Sequence, residues 1–144
     1  MKLIVLFITS LLLVGCSPKT PYTKIDAKFT QNVDLKIMHQ AVYDAAKKES
    51  WDINHKSHQV DETHIKLSKV YQKRRHHSQK PILHKSYKKK TLYVNVLLTS
   101  KGFVLTLLDK RGNVLQPDHV ENIVQMYLHS LKEAIYASLA EHLL

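Results

Sequence analysis

The residues best suited to chemistry form a run of positive charge in the second half of the chain. Residues 73–90 contain no acidic residue and eight basic ones, namely Lys73, Arg74, Arg75, Lys80, Lys85, Lys88, Lys89 and Lys90. Lysine brings point charges to phosphate oxygens, and arginine forms paired hydrogen bonds with them. We therefore expect this segment to bind an anion. The alternative is a solvated loop whose lysines protect the edge of a sheet.

This positive charge is concentrated in one place. The formal net charge is +10 at pH 7. Outside residues 1–15 and 73–90, thirteen positive side chains stand against twelve acidic ones. The body of the protein is therefore nearly neutral. A block of like charges is commonly mobile or makes interactions.

Other reactive side chains are numerous but form no known motif. Ten histidines include His55 and His58, the adjacent pair His76 and His77, and His84. Zinc needs three or four ligands in fixed geometry, and the cations around residues 76–77 oppose a divalent ion, so we expect no metal site. The sequence contains no GxSxG motif and no glycine-rich phosphate loop. We expect neither an enzyme nor a bound cofactor.

Cys16 is the single cysteine, and it follows an apolar run. Residues 3–14 are apolar except for Thr9 and Ser10, and Lys2 supplies a positive start. As a helix, such a run reaches roughly 18 Å, which is short of a hydrocarbon core of about 30 Å. The pattern is typical of a signal peptide at residues 1–15 rather than of a membrane span. With one cysteine, no disulfide forms within these residues, and the domain must fold by burial alone.

The end of this run, Leu13-Val14-Gly15-Cys16, resembles the lipobox of bacterial lipoproteins. That resemblance implies cleavage before Cys16 and attachment of acyl chains such as palmitate to the cysteine. Two acyl chains anchor a protein stably. Among lipoproteins of bacteria with two membranes, a serine such as Ser17 after the cysteine implies delivery to the periplasmic face of the outer membrane. In a host with one membrane, the anchor would lie in that membrane.

Hydrophobic spacing predicts a tether at residues 16–22 and one domain at residues 23–144, with the basic segment as a loop. Alternation with a period of two predicts strands at residues 23–29, 51–53, 64–72, 91–98 and 103–109. The alternation breaks after Leu67, which allows a β-bulge there. Residues 100–102 and 110–113 are predicted turns.

Apolar stripes at spacings of three and four predict two helices. The first has Asp34 as its N-cap and ends near Ser50. The second runs to the C-terminus, and Asp118 with Glu121 matches a capping box at its start. Glu121, Glu133 and Glu141 are assigned to its solvent face. The aromatic residues Tyr43, Trp51 and Tyr127 are assigned to the core or its edge.

The predicted order is therefore β-α-β-β-β-β-α. It favours an α+β fold, a two-layer sandwich in which an antiparallel sheet of about three to five strands carries both helices on one face.

Several of these features together resemble a family of small uncharacterised bacterial outer-membrane lipoproteins. The family has a lipobox, a helix of the form Ala-x-x-x-Ala that ends before a tryptophan, a meander, and a last helix with Tyr, Leu and Ile four apart. The matching residues here are Ala41, Ala45, Trp51, Tyr127, Leu131 and Ile135. Asp109 with Gly112-Asn113 resembles the family's Asp-Ser-x-Asn turn. The family's Gly-Trp and Tyr-Asn are Ser50-Trp51 and Tyr127-Leu128 here.

The resemblance covers about residues 25–139. It implies the same fold and location, and it supplies no catalytic residue. A looser likeness is to the lipopolysaccharide-assembly lipoprotein that plugs its partner barrel in the outer membrane, which is also a small basic domain of two helices on a sheet.

Together these observations predict a non-enzymatic lipoprotein that binds anionic phospholipid, lipopolysaccharide or an acidic protein through residues 73–90. The alternative is a structural or scaffolding subunit of an envelope complex, which docks by its sheet edge or helices. Nucleic acid would bind the same charges, but an exported domain seldom meets it, so we do not expect it as a partner.

Overall fold

The computed structural model describes residues 21–54, 63–74 and 87–144. For Arg74 and Tyr87 the description is limited to the backbone. The predicted signal peptide, Cys16 and most of the predicted tether lie outside these residues.

Five strands form one open antiparallel sheet in the order β1-β5-β4-β3-β2. Their bounds are Lys24–Lys28 (β1), Asp52–Ile53 (β2), His64–Arg74 (β3), Tyr87–Thr99 (β4) and Gly102–Leu108 (β5). Helix α1 spans Leu35–Lys48, and helix α2 spans Asn122–Leu143 after a 3₁₀ turn at Pro117–His119. The predicted α+β class and the predicted order of elements are both confirmed. Neither helix is long and apolar enough to cross a bilayer.

The core lies between the sheet and the two helices, which pack against each other. The sheet contributes a buried apolar layer, which includes Leu67, Val94, Val96, Leu98, Phe103, Leu105 and Leu107. The helices contribute Met38 and Val42 from α1, and Leu128, Leu131 and Ile135 from α2. Burial of each such side chain contributes roughly 1.5–3 kcal/mol. Trp51 is also buried, and Tyr43 and Tyr127 pack at the edge of the core.

Helix α1 begins and ends as its sequence predicts. The carboxylate of Asp34 accepts a hydrogen bond of 2.7 Å from the backbone N–H of Lys36, which confirms the N-cap. At the other end Ser50 adopts a positive φ of 57°. The backbone N–H of Trp51 then donates to the carbonyl of Ala46 at 2.8 Å. This tight exit places Trp51 under the helix and starts β2.

The start of helix α2 differs from the prediction. The helix begins at Asn122, and Glu121 precedes it without a side-chain capping bond. The predicted capping box of Asp118 and Glu121 is therefore wrong, because the 3₁₀ turn at Pro117–His119 occupies the position expected for the first helical turn. The assignment of Glu121 to the solvent face is also wrong, since its side chain contacts the sheet.

Strand β3 is continuous and has no bulge. Its residues pair one for one with β4 from His64↔Leu97 to Arg74↔Tyr87. The apparent break in alternation arises because Lys69 occupies a helix-facing position while Val70 faces outward and is 56% exposed. Because a lysine occupies one of the helix-facing positions, the hydrophobicity of β3 does not alternate with a period of two.

Candidate functional site

Strands β3 and β4 extend beyond the rest of the sheet. Strand β4 pairs with β5 only from Tyr93 onward, and β2 pairs only with Leu67 and Ser68 of β3. Residues 69–74 and 87–92 therefore form a two-stranded projection, which we call the basic ribbon. It carries Lys69, Lys73, Arg74, Lys88, Lys89 and Lys90.

Parts of the segment at residues 73–90 are strands rather than a loop. The prediction of a loop throughout this segment is wrong at both of its ends, because Lys73 and Arg74 belong to β3 and residues 87–90 belong to β4. Continued pairing with β3 keeps these lysines in register. Arg75, Lys80 and Lys85 lie outside the described residues, as do the five histidines singled out above, so their predicted roles stay predictions.

Register divides the lysines between the two sides of the basic ribbon. Lys73 lies directly opposite Lys88, and Tyr71 lies opposite Lys90, all on the side that faces the helices. Lys89 lies on the other side, opposite Gln72. Like charges placed directly across a pair of strands are destabilising. The helix-facing side therefore requires a counter-charge.

Glu121 supplies that counter-charge from the segment just before α2. Its Oε1 accepts hydrogen bonds from Lys73 Nζ at 2.9 Å and from Lys90 Nζ at 2.7 Å. The three side chains are partly shielded, with exposed fractions of 28% for Glu121, 43% for Lys73 and 35% for Lys90. Partial burial raises the pKa of Glu121, but the hydrogen bonds and charges of Lys90 and Lys73 outweigh it and hold that pKa below its usual value.

The base of the basic ribbon is fixed to the core by aromatic contacts. Tyr71 is buried, and its ring lies 5.9 Å from that of Tyr127 in α2. Burial raises the pKa of the Tyr71 hydroxyl, and the charge of Glu121 adds to this effect. The Lys69 ammonium lies 5.0 Å from the ring centre of Tyr127 and 5.6 Å from that of Trp51. It also donates to the carbonyl of Glu49 at the end of α1. The ammonium of Lys69 therefore makes contacts within the fold.

Two other lysines of the basic ribbon are exposed to solvent. Lys88 and Lys89 are exposed, and neither forms an ion pair within the part of the chain that the structure describes. Lys88 also lines a groove of about 490 Å³ with Lys90, Tyr71, His119 and Glu121. An anion that approaches this groove meets the ammonium groups of three lysines, since Lys110 also lines it, and the carboxylates of Asp109 and Glu121.

Sequence reasoning found the basic segment and missed the acid that organises it. Glu121 lies 48 residues from Lys73 and 31 from Lys90, so no local pattern links them. One signal was available in the sequence. A capping box needs its acid inside the first helical turn, but Pro117 can begin a short turn of its own. Such a turn leaves Glu121 ahead of the helix.

Within residues 21–54, 63–74 and 87–144, no three His, Cys, Asp or Glu side chains cluster closely enough to hold a metal ion. No protein-family model and no curated protein matches the chain. The functional assignment therefore depends on geometry and charge.

Proposed function

We propose that the protein is a non-enzymatic lipoprotein, anchored by lipid on Cys16, that binds an anionic component of the cell envelope through the basic ribbon. The main support for this proposal is that some lysines of the basic ribbon have an acidic partner and others do not. Glu121 balances Lys73 and Lys90, whereas Lys88 and Lys89 are exposed without a described counter-charge. A counter-charge placed inside the cluster offsets the repulsion between its lysines and leaves the basic ribbon with a net positive charge.

The position of these two lysines favours an extended anionic partner. Lys88 and Lys89 are neighbours in β4 and lie on opposite sides of the basic ribbon. A partner that contacts both of them must therefore extend to both sides of the ribbon. Each basic residue near an anionic membrane contributes about 1 kcal/mol. Phospholipid headgroups and the phosphates of lipopolysaccharide both supply such a surface, and the periplasmic face of an outer membrane is the location that the lipobox resemblance implies.

A second candidate function has its own observation. The edge of β4 at residues 87–92 has no strand beside it on the β5 side among the described residues, so its backbone groups are open to an added strand. A structural subunit that docks through this edge and also covers the outer side of the ribbon would bury the exposed Val70 of β3. Salt distinguishes the two functions, because charge-led binding weakens as salt screens it and docking by burial persists.

Co-sedimentation with vesicles tests the proposal. The domain without its lipid anchor, residues 17–144, is incubated with neutral vesicles, with anionic phospholipid vesicles and with lipopolysaccharide, each at low and high salt. We expect anion-dependent binding that falls at high salt and is lost in the double variant Lys88→Ser/Lys89→Ser. The matched control is Lys47→Ser/Lys48→Ser, which removes two exposed lysines from the end of α1. Equal loss in both variants, or binding that ignores salt, would overturn the proposal.

A further inference from the structure

The face of the sheet opposite the helices carries a second set of polar side chains. The strand register aligns Lys24, Thr106, Asn95 and Lys66 in one row across β1, β5, β4 and β3. Tyr93 lies in the next row, between Ser68 and Leu108. Neither α1 nor α2 covers this face, because both pack on the other one. Its centre is therefore a polar strip with cations at both ends.

A groove of about 550 Å³ lies on this face beside the turn that follows β5. Asp109 holds the turn in place, since its Oδ1 accepts hydrogen bonds from the backbone N–H of Arg111 at 2.8 Å and of Asn113 at 2.9 Å. A bridge between Leu108 and Val114 closes it. The turn thereby presents Lys110 and Arg111 to the groove.

The charge of the groove is positive. Lys66, Lys110 and Arg111 line it, and Asp109 is the one acid among its described lining residues. Asp52 lies one strand away on the same face, opposite Ser68. The oxygen Oδ1 of Asp109 is already engaged by the turn, and the hydrogen bond from Asn113 is the main reason why the pKa of this carboxyl lies below its usual value. The three cations are thus only partly balanced, and they come from two elements that the turn holds together.

The neutral side chains of the groove are of a different kind. Asn95, Thr106 and Ser68 line its floor with amide and hydroxyl groups, and Tyr93 adds an aromatic ring. The amide nitrogen of Asn95 lies 3.2 Å from His64 Nδ1, which orients the amide. Hydrogen-bonding groups beside an aromatic surface suit a ligand with hydroxyls and a ring. The volume lies within the range of about 300–1,000 Å³ that is typical of small-molecule sites.

We propose that this groove binds a small hydroxyl-bearing anion of the sugar-phosphate class. The phosphate lies between Lys66 and the Lys110-Arg111 pair, where the guanidinium forms paired hydrogen bonds with its oxygens. The sugar ring rests on Tyr93, and its hydroxyls meet Asn95 and Thr106. The groove shares Tyr93, Leu108, Asp109 and Lys110 with the groove beside the basic ribbon. It contains none of the ribbon's lysines, and the proposal does not depend on the ribbon's function.

Amide chemical shifts of the full chain in detergent test this site, with glucose 1-phosphate as the probe. We expect shifts centred on residues 66, 95 and 110–113, weaker shifts with inorganic phosphate, and the weakest with glucose. The variant Lys66→Ser/Arg111→Ser should weaken binding by about tenfold or more, because it removes two charged hydrogen-bond donors. The basic-ribbon variant Lys88→Ser/Lys89→Ser should bind as the unaltered protein does.

Three results would overturn the proposal. The first is no shift at millimolar glucose 1-phosphate. The second is equal affinity for inorganic phosphate, which would mean that the groove attracts charge without selecting a sugar. The third is unchanged binding in the Lys66→Ser/Arg111→Ser variant while its spectrum shows an intact fold. The two substituted side chains lie on the open face and its turn, outside the core, so that variant should fold.

Discussion

Glu121 is the residue on which the arrangement of the basic ribbon depends. It is partly buried, and it accepts hydrogen bonds from two lysines that come from different strands. Three lysines share the helix-facing side of the ribbon, namely Lys73, Lys88 and Lys90. Without Glu121, none of them would have a hydrogen bond to a carboxylate among the described residues. The acid thus stabilises a cluster that would otherwise push its own strands apart.

Replacement of Glu121 by glutamine should therefore destabilise the fold. Ion pairs as exposed as these contribute about 0.2–1 kcal/mol each, so we expect Glu121→Gln to lower the free energy of unfolding by roughly 1 kcal/mol. Urea denaturation measures this change. Because salt screens lysine repulsion, the loss should shrink at high salt. A loss that is independent of salt would contradict the electrostatic explanation.

Asp44 makes the stability of the helix layer depend on pH. Its Oδ2 lies 2.8 Å from Nε2 of His142 near the end of α2, and its Oδ1 accepts from Gln40 at 2.9 Å. The hydrogen bond with His142, followed by that with Gln40, lowers the pKa of Asp44 below its ordinary value of 3.8. The stabilisation is therefore present above that value and is lost as pH falls through the lowered pKa.

We expect the Asp44→Asn variant to have a lower free energy of unfolding than the unaltered protein at neutral pH. When the pH is lowered to 3, this free energy should fall less in the variant than in the unaltered protein. Urea denaturation at both pH values gives the difference. His142→Gln should reproduce part of the effect, since it replaces the group that contributes most to the lowered pKa. An acid sensitivity that is the same in all three proteins would contradict this role of the pair.

At the scale of elements, the turn between β4 and β5 also secures the edge strand. The connection is two residues long, Ser100 and Lys101. Their carbonyls accept hydrogen bonds of 2.7 Å from the backbone N–H groups of Val33 and Phe29. Gly102 begins β5 directly opposite Lys28. One short turn thus closes the hairpin and fixes the chain that leaves β1.

Gly102→Ala should disrupt this junction. An added Cβ would overlap the carbonyl oxygen of Ala27, which is backbone and cannot move aside easily. Overpacking costs typically 1–3 kcal/mol, and we expect about 3 kcal/mol because backbone is involved. The comparison variant is Gly112→Ala, where the space is open but φ is +88°, so only backbone strain of roughly 1 kcal/mol applies. Thermal denaturation of both variants checks the order, and an equal loss would contradict it.

Most elements could be predicted because their signals are local. The strands β4 and β5, helix α1 with its Asp34 cap, and the turn at Asp109 follow from periodicity and from side-chain bonds within a few residues. The basic ribbon and Glu121 could not be predicted, because they depend on strand register and on contacts between distant residues. Lys69 misled the periodicity because its ammonium is satisfied by Trp51, Tyr127 and the Glu49 carbonyl, which the sequence does not show to be neighbours.

At the scale of the molecule, charge is divided between the two layers. The five strands carry nine Lys or Arg residues and two Asp residues, whereas the two helices carry four Lys residues and three acids. The strands therefore carry most of the net positive charge of the described elements. The open face and the basic ribbon both belong to the sheet layer, so a membrane-anchored domain would turn it toward anionic surroundings.

The proposed lipid anchor is tested by Cys16→Ser. A cysteine that accepts diacylglycerol should incorporate radiolabelled palmitate, and the serine variant should not, because it lacks the thiol. We expect the unaltered protein in the membrane fraction and the variant outside it after fractionation of the cells. Membrane retention of the variant, or no label in the unaltered protein, would contradict the proposed lipid anchor.

We have proposed that the lysines of the basic ribbon without a described counter-charge, Lys88 and Lys89, bind an anionic component of the envelope. The test is binding of the domain without its lipid anchor, residues 17–144, to anionic vesicles at low salt, measured side by side for four proteins. We expect Glu121→Gln to bind most tightly, the unaltered protein and the Lys47→Ser/Lys48→Ser control to bind equally, and Lys88→Ser/Lys89→Ser to bind least. If the control falls as far as the basic-ribbon variant, net charge alone drives binding, and the claim that the ribbon is a site is contradicted.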